Sequence, residues 1–313
     1  MSFCRPSMEK HYKFILADGK LYGFVCVVTG ANMPVGSAIV TELAAHGAAC
    51  IYACTTATND HEPSSPQSSL LTNLYPNTKV IDYPYSISSE QDTLTLIDEA
   101  LNTWGRIDVW VCSSGLLGPP SIDLTTPADL QKCFETNSLA PFFALKYAPH
   151  AMQKTSPKGG YANAAPKDQG YGSIIVVTST ASTYGGCWGP CYTMSSHAAL
   201  GVVRAGVTVL KGSGVRINAI SPGQIDVGVS LGGGSDTADM TGVMMNSNVQ
   251  LPPAALQTLA AQKQNIGLER AGRPAEVARV AGFLASGFSS YITGSNMVVD
   301  GGASVMCPLM VPI

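Results

Sequence analysis

The chain has 313 residues, more than the ~100–200 of an average domain but within reach of one α/β core of about 250 residues with an insertion or tail. Hydrophobic residues make up 45% and charged residues 12%, with a net charge of -3 and no run of Lys or Arg, which excludes an electrostatic nucleic-acid binder and a chain that docks on an anionic membrane. The nine cysteines are scattered with no CxxC pair, so neither a zinc site nor a disulfide framework is indicated and most read as small buried hydrophobes.

At the N-terminus, MSFCRPSMEKHYKF lacks the apolar core and cleavage site of a secretory signal, and no stretch approaches the ~18 apolar residues of a membrane span. A soluble, cytoplasmic protein with reduced thiols is expected. The first apolar run, Phe24–Val28, leads through TGANMPVG into a helical stretch at Gly36–Gly47. A second run at Cys50–Ala53 is followed by a helix at Gln91–Trp104, and a third, Val109–Val111, by a helix at Pro127–Met152. Ile174–Val177 precedes a helix at Tyr192–Lys211, Val215–Ile220 precedes one at Pro274–Ala285, and Asn296–Val299 closes the series. Strands apolar throughout, alternating with helices, predict a doubly wound parallel α/β sheet with helices on both faces, as a single domain over residues 1–313.

Three segments break the rhythm. Residues 153–172 are rich in Gly, Pro and Lys without periodicity, and read as a surface loop or mobile insertion. Residues 227–265 carry Met240 and Met244, either a thioether-bearing lid over an apolar pocket or a plain loop with core methionines. The apolar tail 305–313 is expected to cover a pocket or a neighbouring subunit.

RINAISPGQI after a strand, then LERAGRPAEVARVAGFLASGFSSYITGSNMVVDGGAS, resembles the short-chain dehydrogenase/reductase family almost position by position, and the likeness runs from about Leu21 to Ser304. It implies a Rossmann-type fold. Ser179 at a strand end and Tyr192 thirteen residues later match the family's catalytic pair, and Asn137 in ETNSLAPF matches its helix-interrupting Asn. In the family the Tyr phenol exchanges a proton with the substrate oxygen, the Ser hydroxyl hydrogen-bonds that oxygen, and a Lys four residues on holds the nicotinamide ribose and acidifies the phenol. Here that position is Ser196. His197 is a candidate replacement base, set about 140° round the helix from the tyrosine face at ~100° per residue.

The resemblance also implies a dinucleotide site, whose positions are altered. The family's TGxxxGxG has become Gly30, Pro34 and Gly36, and Pro34 lacks a backbone donor. Cys54, Thr55 and Thr56 stand where an acidic residue usually holds the ribose, with Asp60 further along. Ser86 takes the place of the adenine-side Asp, Cys112-Ser113-Ser114-Gly115 replaces the NNAG turn, and Val227 replaces the nicotinamide-capping Thr. The candidate cofactor contacts are therefore Gly30, Gly36, Thr55, Ser86 and Gly115, for no cofactor or a weakly bound NADP(H), and no metal site is expected.

Three functions are compatible with these residues. One is redox-neutral chemistry without a cofactor (isomerisation, elimination or cyclisation), with Tyr192 as acid, Ser179 orienting the substrate oxygen, and Asn137 or Asp226 assisting. Another is NADP(H)-dependent carbonyl reduction through the altered site. The third is a non-catalytic subunit or sensor. Tyr184 and Trp188 lie between Ser179 and Tyr192 and, with Met240 and Met244, are the candidate walls of a pocket for a neutral, hydrophobic biosynthetic intermediate. A homodimer or homotetramer is expected from the family's habit of pairing through the helices at 127–152 and 192–211.

Overall fold

Among the described residues every strand of the sheet runs parallel to its neighbours, as the unbroken apolar runs require. The computed structural model describes residues 21–55, 66–156, 161, 166–185, 188–227 and 259–306. Its strands are β1 Val25–Thr29, β2 Cys50–Thr55, β3 Lys79–Pro84, β4 Val109–Cys112, β5 Gly172–Val177, β6 Val215–Pro222 and β7 Asn296–Val299. They form one sheet in the order β3-β2-β1-β4-β5-β6-β7. Going outward from β1, the chain runs to β2 and β3 on one side and to β4 onward on the other. The carboxyl ends of β1 and β4 therefore part at a crevice, the usual ligand position in an open α/β sheet.

The helices are α1 Pro34–Ala45, α2 Pro66–Leu74, α3 Glu90–Trp104, α4 Pro127–Phe134, α5 Ala140–Met152, α6 Pro190–Val209, α7 Leu259–Asn265 and α8 Pro274–Ala285. Two hydrophobic layers fill the spaces between helices and sheet. One packs α3, α5 and α6 on the side of Tyr52, Trp110, Ile174 and Ile217. The other packs α1 and α8 on the side of Val28, Ile51, Val111 and Ile220. Among the described residues no helix is long and apolar enough to cross a membrane.

The differences from the sequence reading have local causes. Strand β3 has no counterpart in it, because this edge strand, KVIDYP, is only half-buried and mixes Lys, Asp and Pro with its apolar residues. The helix expected over Pro127–Met152 is three pieces, since residues Glu135–Leu139 form a π-turn between α4 and α5. Such a wide turn is common at functional sites, and this one carries Asn137.

Most described residues of the insertion expected at 153–172 lie at least partly at the surface, but Lys167 does not. Ser156 and Lys167 pair backbone to backbone at 2.9 and 2.8 Å, and Lys167 is fully buried. Its ammonium lies 3.1 Å from the Asp108 carboxylate and donates to the Ile107 carbonyl at 3.0 Å. Asp108 also accepts from Arg106 Nε and a terminal guanidinium nitrogen, each at 2.9 Å, and from the Val25 amide at 2.9 Å. The same terminal guanidinium nitrogen also reaches the Tyr171 hydroxyl at 2.7 Å. A lysine that reads as loop polarity in the sequence is thus a buried ion that docks the insertion at the amino-terminal edge of the sheet. Burial holds the Lys167 ammonium below its ordinary pKa although Asp108 opposes that shift.

Candidate active site

At the carboxyl end of β5 the chain leaves the sheet through Thr178 and Ser179. Ser179 is buried, and its hydroxyl accepts from the Ala181 amide at 3.1 Å, capping the short turn Thr180–Ser182. The Thr178 hydroxyl donates to the Ser196 carbonyl at 3.4 Å. This bond lays the strand end that bears Ser179 against the turn of α6 that starts at Tyr192, the third residue of that helix. Tyr192 is half-buried and Ser196, one turn along, is buried. His197 instead faces solvent and engages the Thr193 carbonyl through Nδ1 at 2.9 Å, as the helical angle requires.

Asn137 sits in the π-turn with its carboxamide turned to the protein. Its oxygen accepts from the Leu116 amide at 2.8 Å, and its nitrogen donates to the Leu116 carbonyl at 2.9 Å and to Ser195 Oγ at 2.8 Å. Both donor hydrogens are used. Ser195 passes the connection on by donating to the Cys191 carbonyl at 2.7 Å, and Ser138 donates to the Ser195 carbonyl at 2.9 Å. The carboxamide therefore ties the loop after β4 to the α6 turn that carries Tyr192. Nothing in the sequence singles out Ser195, because a small hydroxyl inside a helix gains meaning only from what lies opposite it.

Of the candidate walls, Tyr184 is exposed. The Trp188 indole donates to the Gly118 carbonyl at 3.0 Å, and its backbone holds φ 95°, in the left-handed region that favours glycine. Met240, Met244, Asp60 and Cys187 lie outside the described residues. Of the candidate lid at 227–265, the described part is exposed Val227 and α7. Asp226 is exposed and its amide donates to the Gly272 carbonyl at 2.7 Å.

The dinucleotide side can be tested against the crevice between β1 and β4. Part of the phosphate turn persists: Gly30 holds φ 66°, and a methyl group on Gly36 would meet the Gly30 carbonyl oxygen at 2.1 Å. Helix α1 thus packs on β1 through the glycine closest to the strand. Replacing Gly36 by alanine is expected to destabilise the protein by roughly 1–3 kcal/mol, read from its urea midpoint, because the obstacle is backbone. The loop after β4 is locked as well: Ser113 donates to the Thr29 carbonyl at 2.6 Å and Ser114 to the Thr29 hydroxyl at 3.2 Å. At the head of α1, Pro34 removes a first-turn donor and Met33 supplies no side-chain cap.

The crevice is narrow beside this turn. Met33, Cys54, Tyr85 and Ile87 close on Gly30, Ser114 and Thr136 and leave a cleft of about 30 Å³. That is about one water's share of liquid volume (~30 Å³), against roughly 300–1,000 Å³ for ordinary ligand pockets. Tyr85 is buried, its hydroxyl is 2.8 Å from Thr93 Oγ1, and its amide donates to the Thr55 carbonyl at 2.8 Å. Burial raises its phenol pKa. Ser86 is exposed and serves the start of α3, its amide donating to Asp92 at 2.8 Å. Gly115 borders the cleft, and a side chain added there would meet nothing within 4 Å. As these side chains stand, the residues do not fit the adenosine half of a dinucleotide. Tyr85, Met33 and Ile87 drew no notice in the sequence, since each is an ordinary apolar residue until the crevice is assembled.

Comparison with known proteins agrees with this architecture. A family model described as enoyl-(acyl carrier protein) reductase matches residues 30–304. The chain is 28% identical over 290 residues to momilactone A synthase of Oryza sativa subsp. japonica, covering 92% of each. It is 28% identical over 292 residues to L-rhamnose-1-dehydrogenase of Scheffersomyces stipitis, covering 92% of this chain and 98% of that one. The aldohexose dehydrogenase of Thermoplasma acidophilum superposes with a TM-score of 0.69 at 22% identity, over 94% of this chain and 98% of the other, a likeness of fold.

Proposed function

The chain belongs to the short-chain dehydrogenase/reductase family, and from that premise we propose that it is an enzyme which has given up hydride transfer for redox-neutral chemistry on a neutral, hydrophobic small molecule. The observation that carries this reading is the narrow crevice, where Met33, Cys54, Tyr85 and Ile87 line a cleft of only about 30 Å³. Ser196 supports it from the other end, because a hydroxyl supplies neither the charge nor the reach with which lysine holds a nicotinamide ribose.

In this reading the substrate oxygen lies between the Tyr192 phenol and the Ser179 hydroxyl. Ser179 accepts the Ala181 amide through its oxygen, which leaves its own hydrogen to bind and orient the substrate oxygen. Tyr192 donates the second hydrogen bond or the proton, at the amino-terminal end of a long helix whose unsatisfied amides favour negative charge. Polarising a carbonyl or epoxide in this way suffices for isomerisation, elimination or cyclisation. Asn137 takes no part in the proton transfer and sets the height of α6 through Ser195.

The relative named as a dehydrogenase favours a second reading, reduction of a carbonyl with NADP(H) after displacement of Tyr85 and Met33. One experiment separates the two. Purified protein is incubated with a panel of neutral apolar ketones, secondary alcohols and epoxides, with and without NADPH, and products are resolved by mass spectrometry. Products of unchanged mass, or with water lost, formed at the same rate without nicotinamide are the expected result. An absolute requirement for NADPH, with products two hydrogens heavier, overturns it.

A further inference from the structure

Beneath the loop that follows β4, two cysteines remote in sequence meet beside the site. Cys133 is the last residue but one of α4, shortly before the π-turn that carries Asn137, and Cys191 immediately precedes Tyr192 at the head of α6. Both are fully buried in a small cluster with Leu116, against Leu130. Gly118 covers them: a methyl group on it would stand 2.7 Å from Cys133 Sγ, 3.0 Å from Cys191 Cβ and 3.7 Å from Cys191 Sγ. The two side chains thus converge on one gap under a glycine.

We propose that Cys133 and Cys191 form a redox modification site, in which peroxide converts the thiol pair to a disulfide that clamps the Asn137 segment to the Tyr192 helix. The two thiols are unequal. Cys191 stands in the first turn of a twenty-residue helix, directly before Tyr192. Burial and the neighbouring Cys191 push the Cys133 thiol up to about 12, so it is not the thiol that meets peroxide first. Cys191 sulfur attacks hydrogen peroxide and becomes a sulfenic acid with release of one water. Cys133 sulfur then displaces the sulfenic oxygen, which leaves with the remaining thiol proton as a second water as the S–S bond forms. Two thiols are oxidised and one peroxide is reduced to two waters. Access for so small an oxidant needs only a shift of the Gly118 loop, which the Trp188 indole pins from above.

The test treats the native full-length protein with graded hydrogen peroxide, quenches, alkylates in denaturant and maps peptides without reduction. The expected result is one Cys133–Cys191 linked peptide, lost on treatment with dithiothreitol and absent from Cys191→Ser. In Cys133→Ser, by contrast, the unresolved sulfenic acid on Cys191 is captured by dimedone. Exposed Met194, on the same helix, reports that oxidant reached the protein. Recovery of both thiols fully alkylated at peroxide concentrations that convert Met194 to its sulfoxide, or linkage formed only after unfolding, overturns the proposal. In either event the redox-neutral reading of the site stands or falls on its own assay.

Discussion

Replacing Asp108 by asparagine is expected to cost about 3–5 kcal/mol of unfolding free energy, a large share of the ~5–15 kcal/mol that holds a typical domain together. The carboxylate takes two bonds from Arg106 and one from the Val25 amide, and pairs with Lys167. The cluster therefore holds two cations against one anion. Removing the anion leaves both cations buried without compensation. Lys167→Met, in contrast, leaves the neutral Arg106–Asp108 pair and removes a buried charge, so a change of under about 1.5 kcal/mol in either direction is expected.

The pH dependence follows from the direction of the Lys167 shift. Its folded pKa lies below the ordinary 10.5, so between the folded value and 10.5 the unfolded chain binds a proton that the folded one does not. Stability from this group accordingly rises with pH across that window, and the cost of burying the ammonium is felt below it. Without Asp108 the lysine sheds its proton more readily, so the deficit of Asp108→Asn should be larger at pH 7 than at pH 10. Urea unfolding followed at both pH values measures this, and an equal deficit would contradict it.

Tyr192→Phe is the second large effect. If the phenol donates to the reacting oxygen, its loss should lower kcat by roughly 10²–10⁴-fold, with KM changed far less because the ring remains. The residue is only half-buried, so the variant should fold and melt like the parent protein, which separates lost chemistry from lost structure. The readout is the rate of cofactor-independent conversion of whichever compound the panel identifies. Full turnover by the Phe variant would remove Tyr192 from the mechanism.

The sequence was most informative where burial is total. Val25–Thr29 and Cys50–Cys54 are buried at every position, so their apolar runs needed no context to be read. The run RINAISPG likewise falls on β6, whose paired strands cover it on both sides. The half-buried edge strand β3 lacked that signal. Periodicity was also silent on the π-turn, which adds a residue within an otherwise continuous helical pattern.

The amino-acid sequence by itself determined the parallel sheet, the family likeness, the Ser179 and Tyr192 spacing, and the absence of lysine at Ser196. These are local or periodic features, set by residue type at fixed separation. Only the tertiary structure decided that Lys167 is a buried ion, that Asn137 spends its carboxamide on Leu116 and Ser195, that Tyr85 and Met33 line a narrow crevice, and that Cys133 and Cys191 share one cluster under Gly118. Each depends on groups far apart in the chain brought within a few ångströms. Hydrogen bonding, charge burial and steric exclusion act at that range whatever the separation along the backbone.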